Sequence, residues 1–350
     1  MKRRLIAIPL AALLLGGSLC AGLTWRWSHT PYGELDPRAA LSLHLLSFEL
    51  EMQPDPESPF TMAIPVNLVY ALSGLLPQAE VAATEDRVAS WQDQEVPVRV
   101  YWPQEPASEP PPVLVYFHGG GFVVGSVDIF DGLTRSLAQE TGAIVVSVEY
   151  RLAPVHPFPA AVDDAWVALQ WTVESAAELG GDPSFVFVGG DSAGGNLATV
   201  TAMRARDAGG PALAGQLLYY PVTDFTGASW PSAERFSEDY GLSSRTMQGF
   251  NQAYIPEGTD LQDPWLSPLR APSHAGLPPA LVVTAGFDPL RDSGAAYAEA
   301  MEQAGVEVQY QDFPSMVHGF MSVDLYRQRA EGLAVTGEFV DGLRTQRGGR

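Results

Sequence analysis

Basic side chains are scarce in this 350-residue chain: 20 Lys and Arg stand against 41 Asp and Glu, a formal net charge of −21. Nucleic acid is excluded as a partner on that ground, because neutralising a phosphate backbone needs clustered Lys and Arg. Lysine occurs once, as Lys2. The body of the chain therefore holds no Walker phosphate loop, no Schiff-base lysine and no Ser-x-x-Lys nucleophile pair. Cysteine also occurs once, as Cys20, which rules out an intrachain disulfide and a cysteine zinc site. His-Glu-x-x-His is missing, as are internal repeats and coiled-coil heptads. What is present is ample for one large core: 46% of residues are hydrophobic and only 17% charged, a balance that excludes disorder.

The N-terminus reads as a targeting element. Lys2, Arg3 and Arg4 precede residues 5–23, a stretch without charge that closes at Trp25, Arg26 and Trp27. As a helix rising ~1.5 Å per residue it would span ~28 Å, close to the hydrocarbon thickness of a bilayer, with the tryptophans at the far interface and the basic flank cytoplasmic. Its length favours an uncleaved membrane anchor, while Ser18-Leu19-Cys20-Ala21 leaves secretory cleavage open. Leu19 before Cys20 does not fit a lipoprotein box. Either route predicts an extracytoplasmic protein, in contact with the membrane through this segment only if it is retained. Oligomeric state is not legible.

Residues 1–27 are thus set apart as anchor or signal, and 28–350 as one α/β domain. Residues 31–78 have a helical composition cut by Pro54, Pro56, Pro59, Pro65 and Pro77, and read as short helices forming part of a cap. Strand-like apolar runs follow at 96–102, 113–117, 144–148, 185–188, 216–220, 281–284 and 306–313. Amphipathic helical stretches such as 161–179 and 292–304 fall between most of them. Near-continuous apolar strands alternating with helices predict a mostly parallel sheet covered on both faces. Pro-rich 103–112 reads as an exposed loop. Residues 223–264 carry no strand pattern and read as an insertion over the site, completing the cap.

The chemistry centres on Gly190-Asp-Ser-Ala-Gly194, a Gly-x-Ser-x-Gly pentad between a strand-like run and a helix at 197–206. The pentad alone is weak, with roughly 0.2 chance matches expected in such a chain, so the strand-to-helix context carries the argument. That context is the nucleophile elbow, a strained turn exposing the hydroxyl of Ser192. His118-Gly-Gly-Gly-Phe122 directly follows the run 113–117. Glycines there can turn amide hydrogens toward the negative oxygen of a tetrahedral intermediate, together with the amide after the nucleophile. Gly120, Gly121 and Ala193 are the expected oxyanion donors, and His118 itself reads as structural. A serine needs a base, and among six histidines His318, after the last strand-like run, stands where the order Ser, acid, His of the nucleophile-elbow fold requires it. Asp288 lies just past the run 281–284. Its rival Asp292 falls at the start of the next helix, where an acid is better explained as a cap. Asp191 precedes the serine and reads as a structural hydrogen-bonding residue.

These motifs together resemble the hormone-sensitive-lipase-like family of α/β-hydrolase esterases, in its Gly-Asp-Ser-Ala-Gly subgroup. The resemblance spans about residues 96–320. It rests on His118 to Phe122, Tyr150-Arg-Leu-Ala-Pro-Val-His-Pro-Phe-Pro-Ala160, Gly190 to Asn196, Asp288 to Asp292 and His318-Gly319-Phe320. It implies an eight-stranded mostly parallel sheet, a helical cap, and hydrolysis of a small-molecule ester with a short to medium acyl chain, without a cofactor. Val155 and Ser293 stand where family members commonly have Glu. Amide, carbamate or lactone hydrolysis would use the same constellation, and the fold also hosts non-catalytic receptors such as the gibberellin receptors, which lack the histidine present here as His318.

Overall fold

The computed structural model describes residues 22–45, 78–108 and 110–348. The apolar run 5–23 lies outside the described residues except for its last two positions, as do residues 46–77 of the expected cap. Among the described residues no helix is long and apolar enough to cross a membrane.

A short hairpin, β1 (His29–Thr30) with β2 (Gly33–Glu34), leads into α1 (Pro37–Leu45). The main sheet follows as β3 (Ala83–Trp91), β4 (Gln94–Trp102), β5 (Val113–Phe117), β6 (Ile144–Val148), β7 (Val186–Asp191), β8 (Gly215–Tyr219), β9 (Ala280–Phe287) and β10 (Val308–Val317). Its spatial order is β10-β9-β8-β7-β5-β6-β4-β3. From β10 to β6 every neighbouring pair is parallel, and β4 and β3 add an antiparallel edge. This is the α/β-hydrolase arrangement of eight mostly parallel strands.

Side chains alternate across a strand, so a sheet buried on both sides must split each strand between two cores. Val113, Val115 and Phe117 of β5 join one core, and Leu114 and Tyr116 the other. α3 (Ala160–Ser175), α4 (Ala193–Asp207) and α7 (Arg291–Gln303) cover the first. α2 (Asp131–Thr141) and α8 (Arg327–Gly348) cover the second. The double covering explains why β5 and β6, with every residue buried, read as near-continuous apolar runs, broken only by Ser147 of β6. The eighth strand, β3, has no counterpart among those runs. Only Ala89 is buried in Ala-Thr-Glu-Asp-Arg-Val-Ala-Ser-Trp, and the strand stands at the sheet edge, held by its hairpin with β4.

Residues 223–264 contain no strand, as their pattern suggested. They hold α5 (Pro231–Arg235) and α6 (Ser244–Tyr254), the latter capped by the Ser243 hydroxyl accepting from the Thr246 amide at 3.1 Å. α6 docks through Tyr254, whose ring stacks on Phe122 at 3.8 Å. The loop entering α5 is tied down by Asp224, which accepts from the Arg270 guanidinium, the Trp230 indole and the Thr226 hydroxyl.

Candidate active site

Ser192 stands between the last residue of β7 and the first of α4, with φ 56° and ψ −117°, a conformation L side chains rarely adopt. The surrounding backbone holds it there. Its amide donates to the Tyr219 carbonyl at 2.9 Å, and its carbonyl accepts from Val222 and Asn196 at 3.1 and 3.2 Å. Close approach of α4 to the end of β5 makes the turn possible: a Cβ on Gly194 would lie 1.9 Å from the Phe117 carbonyl oxygen. Gly190 and Gly194 are therefore glycines for steric reasons.

His318 follows β10, and its Nε2 lies 2.9 Å from Ser192 Oγ. Its Nδ1 lies 2.7 Å from Asp288 Oδ2. Asp288 follows β9, is wholly buried, and accepts the Leu290 amide on its other oxygen at 2.8 Å. The neutral imidazole that donates from Nδ1 to Asp288 offers a lone pair at Nε2 to the serine hydroxyl. Three residues far apart in sequence thus meet at the carboxyl edge of the sheet, where α/β ligand sites collect. Asp292 is elsewhere. Its carboxylate accepts the Ser232 amide at 2.8 Å and pins α5 to the start of α7.

Gly120 and Gly121 lie in the loop after β5 at φ 119° and 62°, and line the same cavity as Ser192 and His318. Among the described residues no backbone carbonyl accepts from either amide. Ala193 is fully buried and opens α4, so its amide has no intrahelical acceptor and is one of the free donors of the helix N-terminus. His118 is buried, stacked on Tyr150 at 4.3 Å and bonded through Nδ1 to the Gly119 carbonyl at 2.7 Å. Burial pushes its imidazole down to about 4, so it is neutral near pH 7. Asp191 accepts from the Tyr116 hydroxyl at 2.6 Å and the Gly119 amide at 2.9 Å.

The cavity over Ser192 encloses about 310 Å³. α1 contributes Ser42 and Leu43 to its wall, and the 223–264 segment contributes Phe225, Leu242, Met247 and Phe250. No Lys or Arg lines it among the described residues. Two neighbours of the site were not legible. The Tyr220 ring meets the His318 imidazole edge-on at 4.9 Å, and the Phe250 ring packs so close to Gly121 that a Cβ there would lie 2.3 Å from it. Tyr220 reads in sequence only as the end of a strand, and Phe250 only as one of several aromatics in the insertion.

Comparison with known proteins places these features in a family. A family model described as the alpha/beta hydrolase fold matches residues 114–322. Carboxylesterase NlhH of Mycobacterium tuberculosis is 47% identical over 256 residues, covering 72% of this chain and 78% of that protein. An ethyl acetate hydrolase of Pseudomonas putida is 42% identical over 248 residues, covering 69% and 77%. Among solved structures, an ester hydrolase from the metagenome of Lake Arreo, in complex with a bipyridine phosphonate derivative, superposes with a TM-score of 0.79 at 38% identity, covering 90% of this chain and 99% of that one.

Proposed function

Given that the chain belongs to the hormone-sensitive-lipase-like family of α/β-hydrolases and is a serine carboxylesterase, we propose that Ser192, His318 and Asp288 are its catalytic residues. The observation that carries the reading is the pair of contacts at His318, 2.9 Å to the serine and 2.7 Å to the aspartate. His318 Nε2 accepts the Ser192 proton as Oγ attacks the ester carbonyl. Asp288 fixes the imidazole and stabilises its cation. The amides of Gly120, Gly121 and Ala193 hold the oxyanion. His318 then gives its proton to the departing alcohol, and a water molecule, activated by the same base, releases the acid from Ser192.

The substrate we propose is a neutral ester with a short to medium acyl chain. A cavity of about 310 Å³ sits at the low end of the ~300–1,000 Å³ usual for small-molecule sites. Its wall is mainly apolar, and without a Lys or Arg among its described residues it offers no counter-ion to a carboxylate-bearing substrate. α1 and the 223–264 segment act as its cap. For location, the proposal remains an extracytoplasmic enzyme held by residues 5–23 or released by their cleavage, supported by the basic flank and the uncharged run. The mass of the protein purified from the membrane and soluble fractions distinguishes the two.

The test is hydrolysis of p-nitrophenyl esters from acetate to palmitate by the wild type beside Ser192→Ala. The expected result is a maximum at short or medium chains and a ~10⁴–10⁶-fold lower kcat in the variant. Equal turnover by the two proteins would overturn the assignment.

A further inference from the structure

We propose that Asp191 is a positioning residue that ties the two halves of the oxyanion cradle together, holding the Gly120–Gly121 loop in register with the Ser192–Ala193 turn. The inference rests on the esterase reading above and assigns a role to a buried carboxylate which that mechanism leaves unused.

The two halves come from neighbouring strands that stop short of the site. β5 pairs with β7 only as far as Phe117 opposite Gly190. Beyond that point no ladder bond links the loop carrying Gly120 and Gly121 to the turn carrying Ser192. Tyr116 lies opposite Gly189, and side chains two apart on a strand share a face, so Tyr116 and Asp191 project to the same side of the sheet. There one oxygen of Asp191, Oδ1, accepts both the Tyr116 hydroxyl at 2.6 Å and the Gly119 amide at 2.9 Å. The first bond braces the carboxylate against β5, and the second grips the oxyanion loop one residue before Gly120. Burial pushes the Tyr116 phenol well above its ordinary range, so it stays a donor. Contact with the loop is tight enough to demand glycine: a Cβ on Gly119 would lie 2.5 Å from Asp191 Oδ2. A second tie to the same segment comes from the Tyr150 hydroxyl, which donates to the His118 carbonyl at 2.7 Å. Asp191 is also the residue joined directly to Ser192, so any shift of the loop is a shift relative to the nucleophile.

An oxyanion cradle acts on charge that exists only in the transition state, so its misplacement lowers kcat and leaves KM nearly alone. Asparagine at 191 keeps an oxygen able to accept from both donors, whereas alanine leaves both unpaired. The experiment measures kcat and KM for p-nitrophenyl butyrate, and Ki for an arylboronic acid that forms a tetrahedral adduct with Ser192. Asp191→Ala is expected to lower kcat ~10–100-fold with KM within ~3-fold and to raise Ki in parallel, while Asp191→Asn stays within ~5-fold on both. Gly119→Ala displaces the loop with the carboxylate intact. It gives the same signature and serves if Asp191→Ala does not fold. A loss confined to KM, an unchanged Ki in Gly119→Ala, or an asparagine variant as impaired as the alanine would overturn the tether. Wild-type protein without Ser192-dependent turnover would instead sink the esterase reading itself.

Discussion

Replacing Gly194 by alanine sets two effects of known size against each other. Gly194 is the second residue of α4, and alanine is favoured over glycine inside a helix by up to ~1 kcal/mol. Propensity alone predicts a more stable protein. The added Cβ would lie 1.9 Å from the Phe117 carbonyl oxygen and 2.6 Å from that of His118, where ordinary contact begins at 3.4 Å. Both obstacles are backbone, so relief requires α4 to move off the end of β5 by more than an ångström. Overpacking of that kind costs ~1–3 kcal/mol or more, which cancels the propensity gain and exceeds it. The movement also carries Ser192 and Ala193 away from Gly120 and Gly121, and a misplacement of ~1 Å at a reacting centre costs ~10²-fold in rate. Gly342, exposed in α8 with nothing within 4 Å of its added Cβ, is the control, since alanine there should stabilise by up to ~1 kcal/mol and leave kcat unchanged. Urea unfolding and p-nitrophenyl butyrate kinetics on the two variants read both quantities. A Gly194→Ala protein with wild-type kcat would refute the claim that this close approach builds the serine turn.

Asp288→Ala should lower kcat by ~10²–10⁴, whereas Asp292→Ala should lower stability through loss of the Ser232 contact and leave kcat within ~3-fold; comparable losses of kcat from both would reopen the choice of acid. Burial pushes the Asp191 carboxyl up to about 6, against ~3.9 in an unfolded chain. Between those values the folded protein keeps a proton that the unfolded chain has released. Its contribution to stability is therefore full below about pH 4 and falls as pH rises to about 6. Urea midpoints of wild type and Asp191→Asn from pH 4 to 7 should shift relative to each other in favour of the variant across that window and run parallel above it. Arg270→Ala should cost ~2 kcal/mol, less than the ~3–5 of a fully buried pair because the Arg270 side chain is one-third exposed, although the side chain of its partner Asp224 is shielded from solvent. An unchanged midpoint in that variant would mean that the Thr226 and Trp230 donors suffice.

Legibility followed burial. β5 and β6 are enclosed on both faces and emerged at their observed ends, 113–117 and 144–148. β3 stayed hidden because an edge strand with one buried residue needs no apolar pattern, and its tight turn at Gln92 and Asp93 lacks the Asn-Gly or Asp-Gly signal of a hairpin. β7 runs three residues past the legible strand because Gly189 and Gly190 carry no apolar signal, although β5 and β8 pair with both. α4 begins at Ala193 through two glycines that propensity would keep out of a helix, an override imposed by its packing on the end of β5 and on Pro221. β10 reaches Val317 past Pro314, where its register with β9 shifts, so the run ending at 313 stopped short of His318. At the site, Ser192, Asp288 and His318 were legible because chain order and loop position restrict the choices, and the structure brings them within hydrogen-bond reach. Tyr220 and Phe250 were not, since each touches the site only through tertiary packing.

Whether Ser192 is the nucleophile is tested by peptide-level mass spectrometry of the folded protein after a serine-directed fluorophosphonate. One adduct is expected, on Ser192, absent from Ser192→Ala and formed far more slowly in His318→Ala. An adduct on another residue, or none on a protein shown to be folded, would contradict that assignment.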